Sequence, residues 1–222
     1  MISDTIFSEL EYYIRYGLNG GYKSRLTDEF YEIEFESSLY REYFKKLLEK
    51  ERIFIKLLKE QNLLLIPRNQ NITRLLDLLK LQRKNDLKES LEYHSSVIEF
   101  LSRNFQPILT SGREKGIIKF KMIDGGEEYA LNELKELGFR ISLENGILLV
   151  DISDTVKEMF KRISKVFDIE KMSPYYAFFV NLNEAGEKCK MLDELEVPYK
   201  YSKVHNEIYV DLDSLKHVLF KN

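Results

Sequence analysis

The side chains that could do chemistry in this 222-residue chain are few and scattered. His94, His205 and His217 have no second histidine at i+3 or i+4, so a zinc or nucleophile site would need partners from elsewhere in the fold. His94 shares a helical face with Leu91 and Ile98 and reads as a packing residue. The single cysteine, Cys189, has only Lys188 and Lys190 as basic neighbours and reads as an inert thiol. Asp211-x-Asp213 and Asp151-x-x-Asp154 both fall where a strand should end and a helix begin, so helix capping explains them without a metal. Gly125–Gly126–Glu127 is a weak phosphate-cradle pattern, but Glu127 and Glu128 would repel an anion. The expectation is no catalytic residue, no cofactor and no metal.

Aromatic residues offer a second kind of chemistry. Tyr175, Tyr176, Phe178, Phe179, Tyr199, Tyr201 and Tyr209 crowd the last part of the chain. Such a surface could stack single-stranded bases, but residues 166–222 hold seven Lys/Arg against ten Asp/Glu. Base stacking without a basic groove is weak, which favours core packing or a protein interface.

The elements that must carry these residues follow from composition and periodicity. With 44% apolar residues the chain can bury a core, and its net charge of −3 does not suit a nucleic-acid-binding body. One cysteine excludes a disulfide scaffold. The longest apolar run, Tyr175 to Val180, is far below the ~20 residues of a membrane span. Acidic residues at Asp4, Glu9 and Glu11 argue against a signal peptide, so a cytoplasmic location without membrane contact is expected. The abundance of charged residues is compatible with a thermophilic, for instance archaeal, source.

Residues 1–104 read as an all-helical domain, with starts near Ser3 or Asp4, Thr27 and Asn71. One conflict stays open. Tyr31, Ile33 and Phe35 alternate with Glu32, Glu34 and Glu36, a strand period, while Leu39, Tyr43, Leu47, Phe54 and Leu58 continue at helical spacing. The helix is favoured. Residues 105–116, with Pro107, Gly112 and Gly116, have a linker composition.

The remainder is a duplication. Tyr176, Phe178 and Val180 fall 58 residues after Ile118, Phe120 and Met122, and Leu192 and Leu195 match Leu134 and Leu137 at the same offset. Val197, Tyr199 and Tyr201 match Phe139, Ile141 and Leu143, and the second hairpin is then two residues longer than the Asn145–Gly146 turn of the first. Residues 117–165 and 175–222 are thus two strand–helix–strand–strand–helix units, expected to pack as one domain. The fold class is α+β.

The order of features in the first half resembles the GINS subunits of the archaeal and eukaryotic replicative helicase. The resemblance rests on a short first helix, Leu26-Thr-Asp-Glu-Phe-Tyr31 opening a long helix, an Arg74-x-x-Asp-Leu-Leu-Lys80 helix, and a closing helix from Leu87 to Leu101. It covers under half the chain. It implies a subunit without catalytic residues that builds a tetramer from helical domains and bridges partner proteins in DNA replication. The duplicated C-terminal part departs from the single small domain usual in that family.

Together these features read as a non-enzymatic scaffold subunit working by protein–protein contacts in a hetero- or homo-oligomer, with nucleic acid indirect or absent. Interface candidates are Phe30, Tyr31, Tyr40, Tyr43, Phe44 and Leu47, aromatic and apolar residues at the start of an amphipathic helix. The rivals are a nucleic-acid-binding regulator or a viral or defence accessory protein, and an enzyme whose site gathers Asp151, Asp211 and His205 only on folding.

Overall fold

Thr27 shows how the first half folds. Its amide and hydroxyl both donate to the Phe30 carbonyl (2.8 and 3.0 Å), and its hydroxyl accepts from the Phe30 amide at 3.0 Å. This closes a hairpin between β1 (Tyr22–Leu26) and β2 (Phe30–Phe35), not a helix cap. The structure is a computed structural model describing residues 2–17, 21–105, 116–122 and 125–219. It divides into two compact units, Met1–Glu89 and Ser90–Asn222.

The first unit is not all-helical, which corrects the reading of residues 1–104. α1 (Asp4–Gly17) starts where the Ser3 hydroxyl accepts from the Ile6 amide. After the hairpin, α2 (Ser38–Lys50) is capped by Ser37, whose hydroxyl accepts from the Leu39 amide at 3.2 Å. β3 (Lys56–Leu58), a short 3-10 turn and β4 (Leu63–Pro67) complete an antiparallel sheet in the order β1-β2-β4-β3. α3 (Thr73–Tyr93) begins where the Asn71 side chain accepts from the Thr73 amide, and the boundary between the units falls inside it.

The period-two alternation at residues 31–35 decides against the helix. As a strand it buries Tyr31, Ile33 and Phe35 on one face and leaves Glu32 and Glu34 on the other. A helix would have spread those glutamates around the core. The helical spacing that began at Leu39 belongs to α2 alone, because Arg52 and Asn62 take left-handed backbone (φ 57° and 51°) and end any continuation. Leu63 to Ile66 is instead a short apolar run bounded by Asn62 and Pro67, the signature of a buried strand. Buried Arg41 ties α2 to this turn, its guanidinium donating to the Asn62 side chain at 2.6 Å and the Lys59 carbonyl at 3.3 Å.

The second unit contains the repeat. The first copy runs β5 (Ile117–Phe120), α5 (Glu127–Glu136), β6 (Ile141–Glu144), β7 (Ile147–Asp151) and α6 (Ser153–Ile163). The second runs β8 (Ala177–Phe179), α7 (Leu182–Glu194), β9 (Tyr199–Ser202), β10 (Glu207–Val210) and α8 (Leu215–Leu219). The three-stranded sheets have the orders β5-β7-β6 and β8-β10-β9, so the last strand is central in each.

The match reaches individual hydrogen bonds. Phe120 pairs with Leu148 and Phe178 with Ile208; Ile141 pairs with Val150 and Tyr199 with Val210. The Phe139 amide donates to the Leu134 carbonyl as the Val197 amide does to Leu192. Gly138 and Glu196 hold the same left-handed turn position at φ 93° and 55°. The first hairpin turns in the two residues Asn145–Gly146, both with positive φ, and the second in four.

α4 (Val97–Asn104) belongs to this unit and bonds both copies. Phe100 stacks on Phe139 at 5.7 Å and meets Phe105, which packs on Phe120. At the other end, the Val97 amide donates to the Asp213 carbonyl and the Leu215 amide to the Ser95 carbonyl, both at 2.9 Å. The copies also meet directly. Thr155 donates to the His217 carbonyl and Arg162 to the Leu195 carbonyl, while Lys188 of the second copy donates at 2.7 Å to the carbonyl of Val166, in the segment that joins the copies. Residues 106–115, most of the expected linker, lie outside the described residues.

Candidate protein-interaction site

The carboxylates at the strand-to-helix junctions cap backbone. Asp151 accepts from the Ser153 amide at 2.8 Å, and Asp211 accepts from the Asp213 amide at 3.3 Å in the matched turn. Burial opposes ionisation of Asp151, but these Ser153 bonds, with Arg140 and Lys157, hold its carboxyl below the usual range. Asp154, named as a cap from the sequence, instead pairs with Arg140 at 2.9 Å. His205 lies in the β9–β10 turn, so Asp151, Asp211 and His205 belong to three different turns.

Asp213 departs from the repeat. It is fully buried, and its Oδ2 accepts from the Ile98 amide at 3.1 Å, at the N-terminus of α4. This places Ser95 and Glu99 beside the second sheet. Together with Tyr175, Lys200, Tyr209 and Asp211 they line an open cavity of about 450 Å³. Burial raises the Glu99 carboxyl, but the Ser95 hydroxyl and backbone and the charges of Lys200 and His94 outweigh it and hold it below the usual range.

The tyrosine rings here are set by neighbouring acids. The Tyr209 hydroxyl donates to Glu207, which raises its pKa first of all, with burial adding to it. Burial chiefly raises Tyr199, next to Cys189, and its hydroxyl donates to Asp193 at 3.3 Å. Tyr175 projects from the Ser173–Ala177 loop and is 80% exposed. That loop is pinned by the Ser173 hydroxyl, which accepts from the Tyr175 and Ala177 amides, and carries Tyr176 at φ 59°.

At the hairpin end of the same sheet three apolar side chains stand in solvent. Phe179 is 77% exposed, Leu182 68% and Val204 86%. The register pairs Phe179 with Glu207, and the Val180 amide donates to the Asn206 carbonyl, so these residues sit at one end of the sheet. The first copy has Lys121 where the second has Phe179.

No family model matches this chain, and no curated protein or solved structure matches it. Among the described residues, no helix is long and apolar enough to cross a membrane, and no group of three or more His, Cys, Asp or Glu is placed to hold a metal ion.

The six interface candidates of the first unit do not form one surface. Tyr31 and Phe44 are fully buried: Tyr31 bonds Glu11 and meets Phe7, and Phe44 packs on Phe35. Both are core residues, because a strand and a helix each turn one face to the interior. Phe30 is half-buried at the hairpin and does not belong to α2. On α2, Tyr40 and Leu47 are half-buried and Tyr43 is exposed. Tyr43 and Leu47 continue an i,i+4 stripe from Leu39, which is 74% exposed. The cavity in the second unit was invisible in the sequence, because Ser95 and Glu99 reach Lys200 and Asp211 only through the buried Asp213 cap.

Proposed function

We propose that this protein is a non-enzymatic assembly subunit that works by binding other proteins. The observation that carries the reading is the exposed apolar end of the second sheet, Phe179, Leu182 and Val204. Large apolar side chains grouped on a surface cost free energy in water and mark interaction sites when they persist. The internal duplication sharpens the point, since the same fold position carries Lys121 in the first copy. The Leu39–Tyr43–Leu47 stripe on α2 offers a second surface in the other unit. The junction aspartates, the best candidates for catalysis in the sequence, already serve backbone amides, which supports a binding role over an enzymatic one.

Kinship with GINS subunits is a narrower form of this reading. The Arg74–Lys80 segment is helical, but α3 runs on to Tyr93 and α4 starts only at Val97, so the closing Leu87–Leu101 helix is broken at residues 94–96, and Leu26–Tyr31 is a β-hairpin. The proposal is therefore made at the level of protein assembly and not of replication.

The test is the solution mass of the purified chain by light scattering, alone and with proteins that co-purify from its native extract. The wild type is expected to form a defined oligomer or complex, and Phe179→Ser with Val204→Ser to lose it while keeping its thermal melt. A wild-type monomer without a partner, or a complex indifferent to these changes and to Tyr43→Ala, overturns the reading.

A further inference from the structure

The first sheet leaves its first strand unpaired on one side. β1 lies at the edge of the order β1-β2-β4-β3 and, at five residues, is the longest edge strand among the described residues. The Glu36 amide donates to the Gly21 carbonyl at one end of the β1–β2 ladder, and the Thr27 amide donates to the Phe30 carbonyl at the other. Antiparallel ladders alternate, so Lys23 and Arg25 exchange backbone bonds with Glu34 and Glu32, while the amides and carbonyls of Tyr22, Ser24 and Leu26 point away from β2. Among the described residues none of these outward groups has a hydrogen-bond partner. The edge strand β8 is different. There the Ser173 hydroxyl accepts from the Ala177 amide, and the Ser173 amide donates to the Ala177 carbonyl, which closes that edge.

The side chains define the strand that β1 accepts. Lys23 and Arg25 stand exposed on one face, and Tyr22, Ser24 and Leu26 are half-buried on the other. On its paired side β1 already holds such a complement. β2 sets Glu34 and Glu32 opposite Lys23 and Arg25, and Phe35, Ile33 and Tyr31 opposite Tyr22, Ser24 and Leu26. A strand on the free side would meet the same two rows. Arg25 pairs with Glu32 but its side chain stays 74% exposed, and Lys23 has no ion-pair partner among the described residues. Cross-strand neighbours sit about 5 Å apart, so these two cations face the incoming side chains, with Glu32 and Glu34 one strand further away. A second copy of β1 is disfavoured, because antiparallel pairing about Ser24 would set lysine against arginine.

We propose that the β1 edge receives an extended segment of the partner protein in which acidic and apolar residues alternate, added to the sheet as a further strand. The inference rests on the assembly reading and names one contact within it. Backbone bonds to Tyr22, Ser24 and Leu26 hold the segment, Lys23 and Arg25 select its carboxylates, and its apolar residues extend the row of Tyr22 and Leu26.

The probe is an acetylated, amidated Ser-Val-Glu-Val-Glu-Val-Ser peptide, with lysine in place of glutamate in the control, titrated into the full chain and followed by amide NMR. The glutamate peptide should bind, weaken with added salt, and shift the Tyr22, Ser24 and Leu26 amides. Ser24→Pro removes an outward amide without breaking the β1–β2 ladder, at a place where edge strands accept proline, and should weaken binding about tenfold. Ser24→Ala keeps that amide and should bind as wild type. Lys23→Gln, at an exposed residue with no ion pair to lose, should weaken binding about twofold to fivefold with an unchanged thermal melt. No binding of the glutamate peptide up to about 1 mM, equal binding of the lysine peptide, or binding indifferent to both Ser24→Pro and Lys23→Gln overturns the proposal. Shifts of the same amides with oligothymidine overturn it in favour of nucleic acid, and shifts with the concentration of the chain alone overturn it in favour of a second copy. If a partner complex forms but ignores the peptide and Ser24→Pro, the edge inference fails and the assembly reading stands. If the peptide binds as expected and no complex exists, the assembly reading fails.

Discussion

Replacing Phe44 by alanine separates a core residue from an interface residue. Phe44 is fully buried under the first sheet, with its ring centroid 5.9 Å from that of Phe35. Truncation removes a whole ring and leaves a cavity that a hydrogen-bonded sheet cannot collapse to fill, at a cost of about 3–5 kcal/mol. A small domain is stable by only about 5–15 kcal/mol, so the first unit should lose a large part of its stability. Tyr43, one residue earlier on α2, is 49% exposed, and its truncation should stay within about 0.5 kcal/mol. Urea unfolding followed by far-UV circular dichroism measures both, with the slope held common to the pair. Limited proteolysis would show cleavage rising in residues 1–89 and not in the second unit. A Phe44→Ala cost below about 1 kcal/mol, or one equal to that of Tyr43→Ala, would refute the placement of Phe44 in the core.

Two further predictions concern the second unit. A Cβ on Gly116 would lie 2.2 Å from the Ser153 Cα at φ 74°, so Gly116→Ala should destabilise by about 3 kcal/mol or more in thermal melts. Gly138→Ala meets open space at φ 93° and should cost only about 1 kcal/mol, since Glu196 occupies the same position in the other copy; equal losses at the two sites would refute the contact argument. His217 is held below its usual pKa by burial first and then by Arg162 and Lys216, against the opposing charge of Glu196. The unfolded chain therefore binds its proton more readily, and the His217 contribution is complete above about pH 6.5 and is lost as pH falls through that region. The melting temperature should drop less between pH 7.5 and 5.5 in His217→Gln than in wild type, and an identical drop would exclude His217 as a source.

The two copies were legible in the sequence because a duplicated chain repeats its core positions at a fixed offset. Phe120 and Phe178, Leu134 and Leu192, and Leu148 and Ile208 are buried in corresponding places, and the longer second hairpin follows from the two-residue insertion. The first unit was misread where two periods overlapped. Apolar residues from Leu39 onward keep helical spacing for local reasons, whereas Leu63 to Ile66 are a short apolar run whose spacing fits a strand or the end of a buried helix, and pairing with β2 and β3 decides for the strand.

The sequence by itself determined the α+β class, the repeat, and the acidic, aromatic character of the last unit. Side-chain type and spacing are enough for these, since they follow from local periodicity and composition. Tertiary structure alone decided which aromatic residues are available. Tyr31 and Phe44 went into the core, while Tyr175 and Phe179 stayed in solvent, although all four are aromatic residues in amphipathic or apolar stretches. It also decided the cavity. Glu99 and Asp211 are more than a hundred residues apart, and they line one groove because a buried aspartate at the second copy's junction bonds the start of α4.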